Sequence, residues 1–209
     1  MTALTQASES TASSTESKPK ILFPGAATLL IAVIASRVTE IERAGNGWLL
    51  YAASGTTPGQ LCRAKFLALG APLAAVCVLW GLCVPMWGAL LGVPAPVPTG
   101  RIVAYTASVC VISLVILALQ LLISLASDNQ LLAVGAGMLG VLLSLIGVMA
   151  PTWAQYLTPW TYFSLVAPMT FAGSDPVYLD APFPGALVLA IAGAVAFTVI
   201  TTRLDRKEV

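Results

Sequence analysis

A chain of 209 residues that is 58% hydrophobic, 9% charged and of mean hydropathy +0.90 carries far less than the roughly 25% charge typical of soluble domains. That excludes a soluble globular fold and leaves room for about five or six membrane spans of roughly 20 residues each. The formal net charge of +1 excludes nothing, because in a membrane protein the placement of charge is informative and its sum is not.

Residues 1–20, MTALTQASESTASSTESKPK, hold too few large apolar groups to offset the entropy of ordering, so a disordered polar tail is expected. It has neither the basic start nor the apolar run of a signal peptide. Residues 21–36 read as a first span, short for a core of about 30 Å but bracketed by Lys20 and Arg37, which can snorkel to the headgroups. Residues 37–65, RVTEIERAGNGWLLYAASGTTPGQLCRAK, are the one long polar interruption in the chain. Ile41, Ala44 and Trp48 share a helical face there, which predicts an amphipathic elbow in the interface; an ordinary connecting loop is the other reading so brief a periodicity leaves open. Ser54 to Gly59 form a turn, with a new helix opening near Pro58.

Residues 66–93 are the second span and contain Pro72 and Pro85, tolerated where neighbouring helices satisfy the freed carbonyls. The stiff run Pro94-Ala95-Pro96-Val97-Pro98 leads past Arg101 into the third, residues 102–126, whose one strongly polar side chain is Gln120. A turn at Ser127-Asp128-Asn129 opens the fourth, residues 130–150. Residues 151–184 are dense in aromatics and lack Lys and Arg, which suits a boundary between membrane and water. Within them, residues 161–173 are too short to cross and contain Pro168, so a short extracellular interfacial helix or re-entrant segment is expected. Residues 185–202 are the last span, followed by Arg203, Arg206 and Lys207.

Five alternating spans put the N-terminal tail outside, residues 37–65 inside and the C-terminus inside. Seven basic residues then lie in the cytoplasm, and only Lys18, Lys20 and Arg101 lie outside, as the preference for internal positive charge requires. The predicted fold is an all-α polytopic membrane helix bundle of the plasma or inner membrane, with residues 21–209 as a single transmembrane domain.

Little chemistry is written into the rest. There is no histidine, and Cys62, Cys77, Cys83 and Cys110 form no CxxC pair, so neither a metal site nor a familiar hydrolase arrangement is expected. Three of those cysteines lie in apolar segments and read as small hydrophobes. Gly135-Ala136-Gly137 with Gly140 matches GxGxxG, but inside an apolar span, where small residues serve helix packing. Ala186, Ala190 and Ala194 make a similar strip, expected to pack closely on another helix. Gln120 is a candidate for lining a transport path, although such a side chain more often hydrogen-bonds a neighbouring helix. Asp128 reads as a helix cap, and Asp175 and Asp180 as solvated charges. The chain lacks GxxxxGK[ST], so no nucleotide site is expected on it, and nothing points to a nucleic acid partner.

Glu42, Gly45-Asn46-Gly47-Trp48, Pro58 and Lys65 together resemble the pattern after the second span in permeases of the ABC type 2 exporter family. Gly47 stands where Thr is common in that pattern, and Glu42 fits the spacing to Trp48 better than Glu40 does. The order of spans and the short basic tail are also similar, and by size the chain looks most like the small permeases of lantibiotic self-protection and bacitracin-type resistance. That family has six spans and five are read here, so its first span is expected to be missing. The resemblance implies a non-catalytic subunit of an exporter for amphiphilic peptides or drugs, serving antibiotic resistance or immunity. It also implies a second permease chain, identical or related, and a cytoplasmic P-loop ATPase that binds ATP and Mg and docks on residues 37–65. Glu40, Glu42 and Arg43 would meet that ATPase, Trp48 and Tyr51 would anchor the elbow, and Pro58 and Lys65 would open the next span. A membrane scaffold or sensor without transport activity is the rival reading.

Overall fold

A computed structural model describes residues 29–35, 37–38, 55–91, 99–126, 130–147, 149–166, 169–172, 175–178 and 183–207 of the chain. Helical segment α1 covers residues 29–35. It is followed by α2 (Pro58–Leu90), α3 (Thr99–Ala126), α4 (Gln130–Gly147), the single turns α5 (Thr152–Gln155) and α6 (Tyr162–Leu165), strands β1 (Met169–Ala172) and β2 (Asp175–Tyr178), and α7 (Phe183–Lys207). Among the described residues, three helices are long and apolar enough to cross a membrane: Pro58–Leu90, Thr99–Ala126 and Pro184–Arg206. This is a multi-pass membrane protein, and its large apolar side chains point outward accordingly. Leu67, Leu90, Leu131 and Val188 all exceed 60% exposure, an arrangement that water would penalise and lipid tails accept.

The centre of the bundle is α3, which packs against α2, α4, α6 and α7. Apart from Ala118, its buried residues fall in two rows of i, i+4 spacing: Ser108, Ile112, Ile116, Gln120 and Ser124 in one, Val109, Ser113, Leu117 and Leu121 in the other. Such rows are the ridges by which helices interlock. Lipid is as apolar as leucine, so burial alone does not hold these helices together; close van der Waals packing and internal hydrogen bonds do. Ser108 accordingly returns its hydroxyl proton to the Ala104 carbonyl at 2.8 Å. Glycines supply close approach. A Cβ on Gly137 would run into Ala32 of α1, and one on Gly193 would come within 2.9 Å of Val115.

Helix lengths differ, and the shortest has been compensated. At about 1.5 Å per residue α2 is roughly 50 Å long and α4 only about 27 Å, somewhat less than a hydrocarbon core of about 30 Å. Residues 149–166 cover the C-terminal end of α4. The Gln155 side-chain amide donates to the Gly147 carbonyl at 2.8 Å and to the Ala150 carbonyl at 2.9 Å, joining the Ala150 N–H that reaches Gly147 at 3.3 Å and so closing the end of the helix. Ser144 donates to the Gly140 and Trp160 carbonyls, and the Trp160 indole lies directly on Gly140, where no Cβ could fit. Tyr162, Phe163 and Val166 dip into the core cluster beside Ile112 and Ile116.

The second, third and last predicted spans are met by α2, α3 and α7 and amended in extent; of the first, residues 29–35 are helical, and the elbow residues Ile41, Ala44 and Trp48 lie outside the described residues. The second predicted span opens at Pro58, eight residues before the apolar run, because Thr57 caps it. The last helix runs five residues past Thr202, since helical hydrogen bonding continues where hydrophobicity stops. The fourth ends at Gly147, three residues early. The all-α expectation needs one addition: β1 and β2 pair antiparallel, Met169 opposite Tyr178 and Ala172 opposite Asp175. Pro176 is tolerated there because a two-stranded ribbon consists only of edges.

Candidate functional site

Charge in the described part of the chain gathers at one end of the bundle. Arg63 and Lys65 lie near the start of α2, and Arg203, Asp205 and Arg206 lie near the end of α7. The two helices are antiparallel neighbours, so these ends coincide.

The start of α2 is built around Thr57. Its hydroxyl accepts from the Gln60 N–H at 3.4 Å, and the Gln60 side-chain oxygen accepts from the Thr57 N–H at 3.3 Å, a reciprocal capping box with Pro58 as the first helical residue. The same hydroxyl donates to Asp205 Oδ1 at 2.5 Å. One threonine therefore closes the helix end and ties it to another helix. Arg63, two turns on, reaches the other oxygen of Asp205 at 2.6 Å; the two side chains are 37% and 20% exposed. An ion pair this exposed contributes under about 1 kcal/mol. Its value lies in geometry, because Asp205 is held from two directions by groups on α2. Gly59 makes the approach possible: a Cβ there would lie well under 3.0 Å from the Thr201 carbonyl oxygen and from Asp205 Oδ1. Thr201 is fully buried and returns its own hydroxyl to the Phe197 carbonyl at 2.9 Å.

The residues singled out from sequence separate into three groups. Pro58 and Lys65 stand on the first two turns of α2, within this cluster. Glu40, Glu42, Arg43, Trp48 and Tyr51 lie outside the described residues. Gln120 lies elsewhere, fully buried between α3 and α4. With its nitrogen turned toward the Ala133 carbonyl, it donates there and accepts from the Gly137 N–H, 3.2 Å each. Those two groups are the ends of one turn of α4, so the amide is satisfied by a neighbouring helix, the commoner role for such a side chain.

Sequence reasoning missed Asp205, Thr57 and Gly59. The available signals were a lone carboxylate inside the basic tail and the pattern Thr-Pro-Gly-Gln, whose Thr and Gln have capping-box spacing. The GxGxxG match is a packing device: Gly137 admits Ala32, Gly140 admits Trp160, and a Cβ at Gly135 would meet nothing. The strip on α7 packs less than expected, with Ala186 buried and Ala194 exposed. Its close approach to α3 is made by Gly193. The four cysteines are free thiols, and among the described residues no group of His, Cys, Asp or Glu could hold a metal ion.

At the opposite end, Tyr156 and Tyr162 meet edge to face with ring centroids 5.6 Å apart, and Tyr156 is pressed against Gly185 at the start of α7, with Tyr162 beside it. Burial holds the Tyr162 phenol above its usual range, with Tyr156 adding to the shift. Thr161 donates to the Gln155 and Thr158 carbonyls, 2.7 Å each, and fixes the turn between α5 and α6. Both ends of α7 are thus pinned, one by polar groups and one by aromatic rings. Comparison with protein-family models, curated proteins and solved structures finds no match for this chain.

Proposed function

We propose that this chain is the membrane-spanning, non-catalytic subunit of an ATP-driven exporter. In this reading a separate P-loop ATPase, carrying ATP and Mg, docks on residues 37–65 from the cytoplasm, and two permease chains form the path for an amphiphilic peptide or drug. The observation that carries it is the clamp of Thr57, Gly59 and Arg63 on Thr201 and Asp205. A docking loop that ended in a free tether would absorb an ATPase's movement. Here the downstream end of the loop is the capped start of α2, bonded to the last turns of α7, so a push on residues 37–65 displaces two long helices as one body.

Charge placement supports the same orientation. Arg63, Lys65, Arg203 and Arg206 share the clamped end, while Arg101 opens α3 at the far end, so the clamped end faces the cytoplasm and the C-terminal end of α4 and the start of α7 face out. Five spans follow, with α1 belonging to the first, α4 to the fourth and the cap over residues 149–166 on the outer side. Glu40, Glu42 and Arg43 then meet charges of the ATPase, and Trp48 and Tyr51 hold the elbow at the headgroups.

Detergent extraction of the tagged chain from its native cells tests this directly. An ATP-hydrolysing P-loop protein is expected in the purified complex, and Glu42→Lys with Trp48→Ala should deplete it while leaving the amount of membrane-inserted chain unchanged. A complex free of any ATPase would refute the assignment and favour a scaffold or sensor.

A further inference from the structure

Helices α2 and α3 meet closely at two glycines and are joined midway by Cys77 against Cys110 and Ser113. At Gly70 a Cβ would come to 3.2 Å from Leu114, and at Gly81 it would strike the Thr106 side chain. Beside this seam, from Leu73 to Trp80 on α2, about 10 Å at 1.5 Å per residue, lies a cavity of about 240 Å3. Leu73, Val76 and Trp80 of α2, Tyr105 and Val109 of α3, and Ile31 of α1 line it. No charged side chain does.

The cavity has a side opening. Val76 and Trp80 are 61% and 51% exposed, on surfaces that face hydrocarbon in a membrane-spanning helix, so the slot is continuous with the lipid phase. Its two ends are bounded by the helix contacts at Gly70 and Gly81, and an occupant must enter sideways and lie along the helices. Three properties select that occupant. A dry apolar cavity of only about 150 Å3 already takes up benzene, so a slot of this size is large enough to fill. Its length of about 10 Å fits within one leaflet of a hydrocarbon core of about 30 Å and suits a segment of one extended acyl chain. Its outer limit, Gly81 against Thr106, lies toward the Arg101 end of the bundle, where a chain descending from that headgroup layer begins.

We propose that this slot binds one acyl chain of a membrane phospholipid and completes the packing of α1, α2 and α3. The bound chain supplies contacts that an empty gap forfeits. The proposal is independent of transport and needs no ATPase.

The test uses the full chain reconstituted in phosphatidylcholine brominated on one acyl chain and then extracted into unbrominated detergent. Bromine quenches tryptophan at contact, and the Trp80 signal is obtained as wild type minus Trp80→Phe. A retained chain leaves Trp80 quenched at least twofold after extraction, whereas Trp87, 64% exposed on the same helix and read as wild type minus Trp87→Phe, recovers. Val109→Phe fills the slot and should restore Trp80 emission. Leu73→Phe, at the half-buried wall, gives a second filled variant if the first does not fold. Full recovery of Trp80 in the wild-type protein would overturn the proposal, as would equal quenching in a folded filled variant.

Discussion

Gly59→Ala is the sharpest probe of the clamp, because it adds a single methyl group to a helix that otherwise prefers alanine to glycine by about 1 kcal/mol. The new carbon would sit well under 3.0 Å from the Thr201 carbonyl oxygen, a backbone atom, and from Asp205 Oδ1. The carboxylate can rotate away, but the carbonyl cannot, so α2 and α7 must part by roughly 1 Å, an overpacking that costs about 1–3 kcal/mol. Separation also strains the 2.5 Å bond from Thr57 and the 2.6 Å pair with Arg63, worth about 1.5–3 kcal/mol and under about 1 kcal/mol respectively when fully lost. Set against the propensity gain, a net loss of about 2–3 kcal/mol is expected. Gly88→Ala is the matched control on the same helix, since a Cβ there meets nothing within 4 Å; it should remain within about 1 kcal/mol of wild type. Reversible unfolding in mixed micelles, followed by helical circular dichroism, measures both. If Gly59→Ala proves as stable as Gly88→Ala, the helices do not approach as described and the mechanical link from the loop to α7 fails with them.

The outer cap offers a second measurement. Gln155→Ala removes both donors to the Gly147 and Ala150 carbonyls and should cost about 1–3 kcal/mol, with hydrogen exchange rising first at residues 149–166. Gln120→Leu should cost under about 2 kcal/mol, because its partners on α4 belong to one helical turn. Unchanged export by that variant would remove Gln120 from the path, whereas lost export at native stability would restore it. Ser174→Cys, in a chain whose four cysteines are replaced by serine, should react with an impermeant thiol reagent applied to intact cells. Labelling only after lysis would invert the orientation.

Much of the molecule is written in short stretches of chain. Apolar runs bounded by Lys20, Arg37, Arg101 and Arg203 identify a membrane protein, since each span must satisfy its own backbone and carry its own hydrophobic surface. The start of α2 at Pro58 is equally local, because a capping box closes within four residues. Helix ends were harder. The apolar run past α4 continues to Ala150, but Pro151 has no N–H to offer the Gly147 carbonyl, and the helix stops at Gly147 with that carbonyl taken by Gln155. The run on α7 stops at Thr202, yet the helix continues and carries Asp205 to its partners. Residues 161–178 are ambiguous in composition, as aromatic and β-branched residues suit an interfacial helix and a hairpin alike.

The residues themselves determined that this chain lies in a membrane, that its long apolar runs over α2, α3 and α7 are helical and at which end basic charge collects, because those properties depend on neighbours a few positions apart. Tertiary structure decided which helix stands at the centre, what Gln120 binds, and that Thr57 meets Asp205 across 148 positions of sequence. Such a meeting leaves no periodic trace in either segment: it depends on two helices lying antiparallel and on one glycine letting them come close enough for a hydroxyl to reach a carboxylate.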